Sequence, residues 1–252
     1  MNSLKLGLSL VSDTRVASGF DNKYSLSYDG VDDYLALPAD APALTPFNPE
    51  IEASGWSFSI WLKTAKSRKI FSKNIGGNSE YEFFVRYNGH PKLTLYDNTN
   101  GGNIGYNMDY NIGDENWHHI VFTWNGEVES GIVSYFDGSV KSGTETASGL
   151  FESVVATPAE FRMAYQGGSY SAIIQDEFSL FNKVLSSSEV STLYNSGVPT
   201  DVTEISGNMG WWRNGDPTGT GAYPTIADES QYSADGTMTN MASNDITTDV
   251  PS

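Results

Sequence analysis

One stretch of the sequence, residues 117–138, restricts the possible folds more than any other. Along residues 117–124 the side chains form two sets that alternate at every second position. Residues 132–136 repeat this alternation after a polar break that contains glycine. This period is typical of two neighbouring antiparallel strands. Asp137-Gly138 then supplies the positive φ angles of a type I′ turn, so we expect the chain to fold back along residues 140–144. The stretch predicts a meander of at least three strands.

The same alternation recurs along most of the chain. It predicts further strands at residues 4–10, 24–28, 34–37, 56–62, 69–73, 81–87, 92–96, 104–112, 161–164 and 172–180. One helix is predicted over residues 187–194, because Ser186 and Glu189 form a capping box and Gly197 follows where a left-handed residue ends a helix. About a dozen strands and a single short helix predict an all-β fold, a two-sheet antiparallel jelly-roll sandwich.

Charge and composition remove several classes of function. The formal net charge of −17 disfavours binding to nucleic acid or to an anionic membrane surface, since both carry the same sign as the protein. The chain has no cysteine, which excludes disulfides, thiolate catalysis and thiolate metal sites. No apolar run approaches the length of a membrane span, and residues 1–13 are too short and polar for a signal peptide. We therefore expect a soluble protein that is made in the cytoplasm.

Five segments of the sequence occur in a familiar order and spacing. They read YSLSYDGVDDYLALP, WSFSIWLKT, ENWHHIVFTWNG, VSYFDG and QDEFSLFNKVLSSSEVSTLYNSG. Over residues 24–197 the chain resembles the laminin-G-like, concanavalin A-like lectin/glucanase jelly rolls. No single segment is specific, but five in register are. The resemblance implies a concanavalin A-like sandwich in a family that contains both lectins and glucanases.

The C-terminal part departs from the family pattern. Many members carry a leader motif before the first turn, whereas here the matching residues stand near the C-terminus: Trp211, Trp212, Asp216, Thr225, Asp228, Ser230, Gly236 and Thr237. We interpret residues 1–206 as the jelly roll and residues 207–252 as a segment that packs back beside the N-terminal strands, as in a circular permutation. Beyond Asn240 we expect an extended, weakly held end.

This arrangement is similar to that of jelly-roll proteins among bacteriophage virion components. The resemblance implies a non-catalytic structural, decoration or tail-associated protein of the virion, made in the host cytoplasm, whose partners are other virion proteins, further copies of itself, and glycans. The alternatives are a bacterial lectin-like module or adhesin at the cell surface, and a glycoside hydrolase. Detection in purified virions, glycan binding without virion association, and release of reducing sugar would separate the three.

The candidate catalytic groups do not favour an enzyme. Glycoside hydrolysis with retention needs two carboxylates about 5 Å apart. The pairs Glu50/Glu52, Glu80/Glu82 and Glu127/Glu129 have the spacing of one strand face, but each lies at a turn or strand start and is expected to be solvated. His118 and His119 should point to opposite faces of their strand and cannot chelate one metal ion. His90 is the one candidate for a third histidine nearby, and no serine or cysteine elbow completes a triad.

Calcium is the metal that this composition favours, because carboxylate and carbonyl oxygens are its ligands. The family resemblance implies a structural Ca²⁺ between Asp176 and Asp216. The acidic turn with Asp29, Asp32 and Asp33 is a second candidate. The alternative is that these aspartates serve turn geometry alone.

A sugar site needs an aromatic ring to stack on the pyranose and amide or carboxylate groups to bond its hydroxyls. Two segments supply both, and we predict ligand contacts at Asn98, Asn100, Tyr106, Asn107, Asp109, Tyr110, Tyr165 and Tyr170. The alternative is that both are polar loops with core tyrosines.

Overall fold

A computed structural model describes residues 20–39, 55–75, 77–127, 131–203, 205–214 and 223–252. These residues form two large antiparallel sheets and one short helix, which confirms the predicted all-β, two-sheet sandwich. The predicted strand at residues 4–10 lies outside the described residues.

The first sheet contains eight strands. In spatial order they are β10 (Ser139–Lys141), β9 (Ile132–Phe136), β8 (Asp114–Trp124), β3 (Trp56–Ala65), β15 (Ala172–Phe181), β1 (Ser25–Asp29) and β19 (Ile246–Thr247), with β16 (Asn208–Trp212) also paired to β15. Strand β15 pairs with β1 through its first half and with β16 through its last residues, so β1 and β16 lie end to end along one edge of it.

The second sheet contains nine strands. In spatial order they are β11 (Gly143–Ser148), β7 (Gly102–Met108), β6 (Pro91–Asp97), β5 (Asn78–Val85), β4 (Arg68–Ile75), β12 (Phe161–Met163), β2 (Tyr34–Leu37), β18 (Gly236–Thr239) and β17 (Thr225–Ile226). A small hairpin of β13 (Tyr165–Gln166) and β14 (Ser169–Tyr170) follows β12 along the chain.

The meander predicted from residues 117–138 is confirmed up to Lys141. Strands β8, β9 and β10 pair in succession, and Asp137 and Gly138 both have positive φ, at 46° and 73°. The prediction of one strand over residues 140–144 is wrong, because the chain leaves the first sheet at Ser142 and continues as β11 beside β7 in the second sheet. Side chains continue to alternate where the chain passes from one sheet to the other, so the sequence pattern does not show where the passage occurs.

Strand β7 and the helix also end differently from the prediction. Strand β7 ends at Met108 instead of running to Ile112, since the backbone N–H groups of Asp109 and Ile112 donate to loop carbonyls, those of Ser142 and Gly89. The helix α1 (Ser187–Tyr194) begins with the predicted capping box. Its first left-handed residue is Asn195, and Gly197 closes a short 3₁₀ turn after it.

Two hydrophobic clusters hold the layers together. The larger cluster fills the space between the sheets and includes fully buried rings such as Phe58, Phe83 and Phe122. The smaller cluster lies on the outer face of the first sheet, where α1 and the segment after it cover Val121 and Phe181. Burial of this kind contributes about 25 cal/mol per Å² of apolar surface.

The C-terminal residues take part in both sheets. Strand β16 pairs with β15, β18 with β2, and β19 with β1. The segment beyond Asn240 is better anchored than the sequence suggests. The Asp249 carboxylate accepts hydrogen bonds from Lys63 Nζ at 2.7 Å and Trp117 Nε1 at 2.9 Å. A circular permutation stays a hypothesis.

Candidate functional site

The outer face of the second sheet is open beside strands β6, β7 and β11, while Thr157 and Gln166 cover Glu80 and Glu82 on the same face. Helix α1 covers part of the corresponding face of the first sheet. On β5, β6 and β7 the inward residues belong to the core, so the intervening residues point outward. Among the described residues, no helix has the length and apolar character that a membrane span requires.

An open cavity of about 440 Å³ lies on this outer face, where β5, β6, β7 and β11 run side by side. Its lining residues are Phe84, Arg86, His90, Lys92, Asn107, Met108, Asp109, Thr144 and Thr146. It adjoins a smaller cavity of about 270 Å³ that shares Phe84 and Arg86 and adds Arg68 and Lys69. We call the two together the groove.

Strand register assembles a row of side chains across the floor of the groove. Lys69 is the partner of Phe84, Phe84 of Lys92, Lys92 of Asn107, and Asn107 of Thr144. Neighbouring strands lie about 4.8 Å apart, so the row crosses five strands over roughly 19 Å. A ligand lying across the strands would meet a cation, a ring, a cation, an amide and a hydroxyl in turn.

A glycine beside this row keeps the groove open. Gly105 faces outward on β7, and a Cβ atom there would stand 2.7 Å from Lys92 Cε and 2.9 Å from Thr146 Oγ1. The missing side chain lets the aliphatic part of Lys92 lie against the sheet.

Positive side chains dominate the groove. Arg86 donates from Nη1 to Asn107 Oδ1 at 3.1 Å, and Lys69 Nζ stands 4.4 Å from the centre of the Phe84 ring. Burial lowers the pKa of Lys92, and the nearby Arg86 adds to that effect while Glu82 opposes it. Asp109 is the acidic residue of the lining, with a carboxylate oxygen 3.7 Å from His90 Nδ1.

A tyrosine cluster lies further along the same outer face. The rings of Tyr34, Tyr165 and Tyr170 contact one another, with the closest centres, those of Tyr165 and Tyr170, 4.9 Å apart. The Arg162 guanidinium stands 4.8 Å from the centres of the Tyr34 and Tyr165 rings and is paired with Glu160 at 2.6 Å. The predicted residues Tyr165 and Tyr170 thus form part of an aromatic surface.

The carboxylates of Glu80 and Glu82 both bind other side chains of the protein. Tyr96 Oη donates to Glu82 Oε1 at 2.6 Å, and Gln166 Nε2 donates to Glu82 Oε2. Glu80 is fully buried and pairs with buried Lys73 at 2.8 Å. The expectation that this pair is solvated is therefore wrong, because Lys73, Thr157, Tyr96 and Gln166 supply the donors that water would otherwise supply. Glu50, Glu52 and Glu129 lie outside the described residues.

The structure brings some of the predicted sugar-binding residues together and separates others. Asn107 and Asp109 line the groove. Asn98 and Asn100 lie at the other end of β7, where Asn98 bonds the backbone of Ser79 and Asn100 donates to Asp97 and Glu152. Their ligand contacts stay a prediction.

The other two predicted residues of this segment, both tyrosines, lie away from the groove. Tyr106 packs edge-on against Phe122 in the core, with ring centres 6.2 Å apart. Tyr110 packs on Phe136, with ring centres 4.0 Å apart.

The groove also contains residues that the sequence reasoning missed. Phe84, Arg86 and Lys92 are the outward members of β5, the turn after it, and β6. The same alternation that marks these strands could have identified their outward side chains. The order of the strands decides which outward residues line the same cavity. The alternation of side chains carries no information about that order.

His118 and His119 point to opposite sides of β8, as predicted. His119 is buried against Trp61, its Nε2 lies 2.8 Å from Ser59 Oγ, and burial lowers its pKa to about 3. Burial also acts against protonation of His118, but hydrogen bonds and attraction from Asp137 and Asp114 outweigh it and raise the pKa. Both rings have structural contacts.

Of the two candidate calcium sites, the acidic turn is fully described by the structure and the Asp176/Asp216 site only in part. Asp216 lies outside the described residues, and buried Asp176 accepts hydrogen bonds from the side-chain amides of Asn22 and Asn214. The carboxylates of Asp29, Asp32 and Asp33 offer oxygens within 4.8 Å of one another. Burial raises the pKa of Asp33, and the neighbouring negative charges add to this while the Asp29 N–H opposes it. Two of these carboxylates accept hydrogen bonds from backbone N–H groups of the turn, Asp33 from Asp29 and Asp29 from Val31, and calcium binding stays a prediction.

Comparison with solved structures supports the fold. A proposed carbohydrate-binding protein from Bacteroides ovatus is 14% identical with a TM-score of 0.59, over 91% of this chain and 61% of its own length. This chain therefore spans less than two thirds of that protein.

Two further solved structures are less similar. A heptameric SAP-like pentraxin from Limulus polyphemus is 17% identical with a TM-score of 0.45, over 69% of this chain and 83% of its own. The binding domain of botulinum neurotoxin DC, solved with rat synaptotagmin II, is 17% identical with a TM-score of 0.49, over 68% and 42%. We base the fold comparison on the Bacteroides ovatus protein.

Comparison of sequences identifies the family. The curated proteins contain no match to this chain. A family model described as the concanavalin A-like lectin/glucanases superfamily, of the Laminin_G_3 type, matches residues 29–191, well over half of the chain. The family predicted from the five segments is confirmed. The protein belongs to the concanavalin A-like lectin/glucanase superfamily.

Proposed function

We propose that this protein binds carbohydrate without cleaving it, and that the ligand lies in the groove. The observation that carries the proposal is the open cavity of about 440 Å³ on the outer face of the second sheet. It combines an aromatic ring, Phe84, with the amide of Asn107 and the hydroxyls of Thr144 and Thr146. A ring that stacks on a pyranose and polar groups that bond its hydroxyls are the elements of a sugar site.

The state of the carboxylates supports binding without hydrolysis. Both oxygens of Glu82 accept hydrogen bonds from side chains, and Glu80 is enclosed with Lys73. Hydrolysis requires one carboxyl to donate a proton and a second to act as nucleophile or base. Among the residues that line the described groove, Asp109 is the one carboxylate, so the pair is incomplete.

The direct test is a survey of neutral and charged glycans, followed by calorimetry on the best ligand. We expect Phe84→Leu to weaken binding about tenfold, because leucine keeps apolar volume but loses the stacking face. Tyr110→Leu is the matched control, since Tyr110 packs on Phe136 outside the groove. No ligand in the survey, or equal losses in both variants, would contradict the site. Release of reducing sugar would contradict the absence of catalysis.

The same proposal covers the biological setting. We infer a virion structural or tail-associated protein that displays the groove to glycans. The support is the similarity to phage jelly-roll proteins and the order of the motifs at residues 207–252. A bacterial adhesin or lectin-like module is the alternative that the groove supports equally. Detection in purified virions separates the two settings.

Calcium binding at Asp29, Asp32 and Asp33 belongs to the proposal as a structural feature. Bound Ca²⁺ would favour the folded state by RT ln(1 + [Ca²⁺]/Kd), about 2.7 kcal/mol at one hundred times Kd. We expect chelation to lower the melting temperature and Asp32→Asn to remove the response to added Ca²⁺. A melting temperature that does not respond to chelation or to added Ca²⁺ would contradict the site.

A further inference from the structure

We propose that the groove selects an acidic saccharide, whose carboxylate or sulfate groups are held by Lys69 and Lys92 with help from Arg86. This inference rests on the proposed function and adds the class of ligand. The two lysines stand at alternate positions of the row across the sheet, separated by Phe84. Two strand spacings place them roughly 10 Å apart along the direction in which an extended ligand would lie.

The distribution of cations supports an anionic ligand. The whole chain has 14 lysines and arginines against 31 acids. Within the described part of the chain, ion pairs occupy Lys23, Lys63, Lys73, Arg162, Lys183 and Arg213. Six described cations form no ion pair with a described residue, although acids outnumber cations two to one. Four of them, Arg68, Lys69, Arg86 and Lys92, lie in the groove, and the other two are Lys66 and Lys141. Unpaired cations concentrated in one groove are suited to bind anions from solution.

Partial burial strengthens this reasoning for Lys92. Its stem lies beside Gly105, and its surroundings disfavour the charged form. A partly desolvated ammonium without a partner is unfavourable, and an anionic ligand would relieve it. The acids that face it are Glu82, which is already hydrogen-bonded by Tyr96 and Gln166, and Asp109, which lies beside His90.

The remaining groups of the row favour a saccharide over other anions. Phe84 offers a ring between the two lysines, and Asn107 and Thr144 offer hydrogen-bonding groups beyond Lys92. A nucleic acid would also bring anionic groups, but the net charge of −17 repels a long polyanion with regularly spaced phosphates. A sugar acid supplies few charges and many hydroxyls.

The test uses the full chain and matched pairs of ligands in calorimetry. One pair is an oligogalacturonate and its carboxyl-reduced counterpart, and the other is a heparin-derived oligosaccharide and its desulfated counterpart. We expect wild type to bind the acidic member of one pair at least about tenfold tighter, with weaker binding at high salt, because charge-assisted bonds are strong and are screened. The pair that shows the preference identifies carboxylate or sulfate as the recognised group.

Variants locate the charge recognition. Lys69→Gln combined with Lys92→Gln should abolish the preference, so that the acidic and neutral members of the pair bind with equal affinity. Lys23→Gln combined with Lys63→Gln changes the net charge equally, outside the second sheet, and should keep the preference. Melting temperatures check that both double variants fold.

Several outcomes would overturn the inference. Equal affinity for acidic and neutral members would refute it and leave the proposed carbohydrate function standing. A preference that survives in the Lys69/Lys92 variant would place charge recognition elsewhere. Equal affinity for single-stranded DNA would show general anion binding. Binding of neither member of either pair would also refute it, and the glycan survey then decides the proposed function separately.

Discussion

Replacement of Lys73 by methionine is expected to lower the free energy of unfolding by about 3–5 kcal/mol, which is the usual effect of breaking a buried ion pair. Lys73 and Glu80 are both fully buried, with 2.8 Å between Nζ and Oε1. Without Lys73, the Glu80 carboxylate keeps the N–H and hydroxyl of Thr157 but loses its only described charge partner. Urea unfolding monitored by tryptophan fluorescence measures the change.

Two further variants make this prediction specific. Lys23→Met breaks an exposed pair with Asp21 and should change stability by less than about 1 kcal/mol. Adding Glu80→Gln to Lys73→Met should recover part of the loss, because an uncharged amide still accepts from Thr157. The role assigned to the pair is contradicted if Lys73→Met unfolds at the same urea concentration as wild type.

Removal of residues 208–252 is expected to prevent folding at room temperature. Strands β16, β18 and β19 would be lost from both sheets, together with Trp212, which is fully buried against Phe178. Loss of one buried tryptophan side chain alone is worth about 3–5 kcal/mol, and a whole domain is stable by only about 5–15 kcal/mol. Circular dichroism and thermal unfolding of the truncated chain measure the result.

A complementation experiment distinguishes lost packing from a general expression defect. Residues 208–252 supplied as a separate chain should restore folding, at least in part, because the missing strands pair with β15, β2 and β1 across open edges. A truncated chain that keeps the wild-type melting temperature would show that residues 208–252 are not part of the cooperative unit.

Much of the fold was predictable because burial in a sandwich requires side chains to alternate. Residues 56–62 and 172–180 alternate clearly, and β3 and β15 are the long central strands of the first sheet. The helix was predictable from its capping box, a local interaction of Ser186 with Glu189. Strand ends were less predictable, because loop carbonyls decide them, as at Met108.

The site was predictable only in part, because it depends on contacts between distant segments. Asn98 and Asn107 are close in sequence, yet they lie at opposite ends of the β6–β7 hairpin and only Asn107 reaches the groove. Lys69, Phe84 and Lys92 come from three separate strands, and only the order of those strands places them in one row. Alternation identifies an outward side chain but not its neighbour on the next strand.

The last strand, β19, belongs to the first sheet, whereas the groove opens on the far side of the second. A surface, resin or carrier protein joined after Ser252 would therefore be attached on the side of the sandwich away from the groove. Immobilised in this way, many copies could stand side by side with their grooves directed at the surrounding medium. For a sensor chip or an affinity column, coupling through the C-terminus is the orientation that keeps ligand access open.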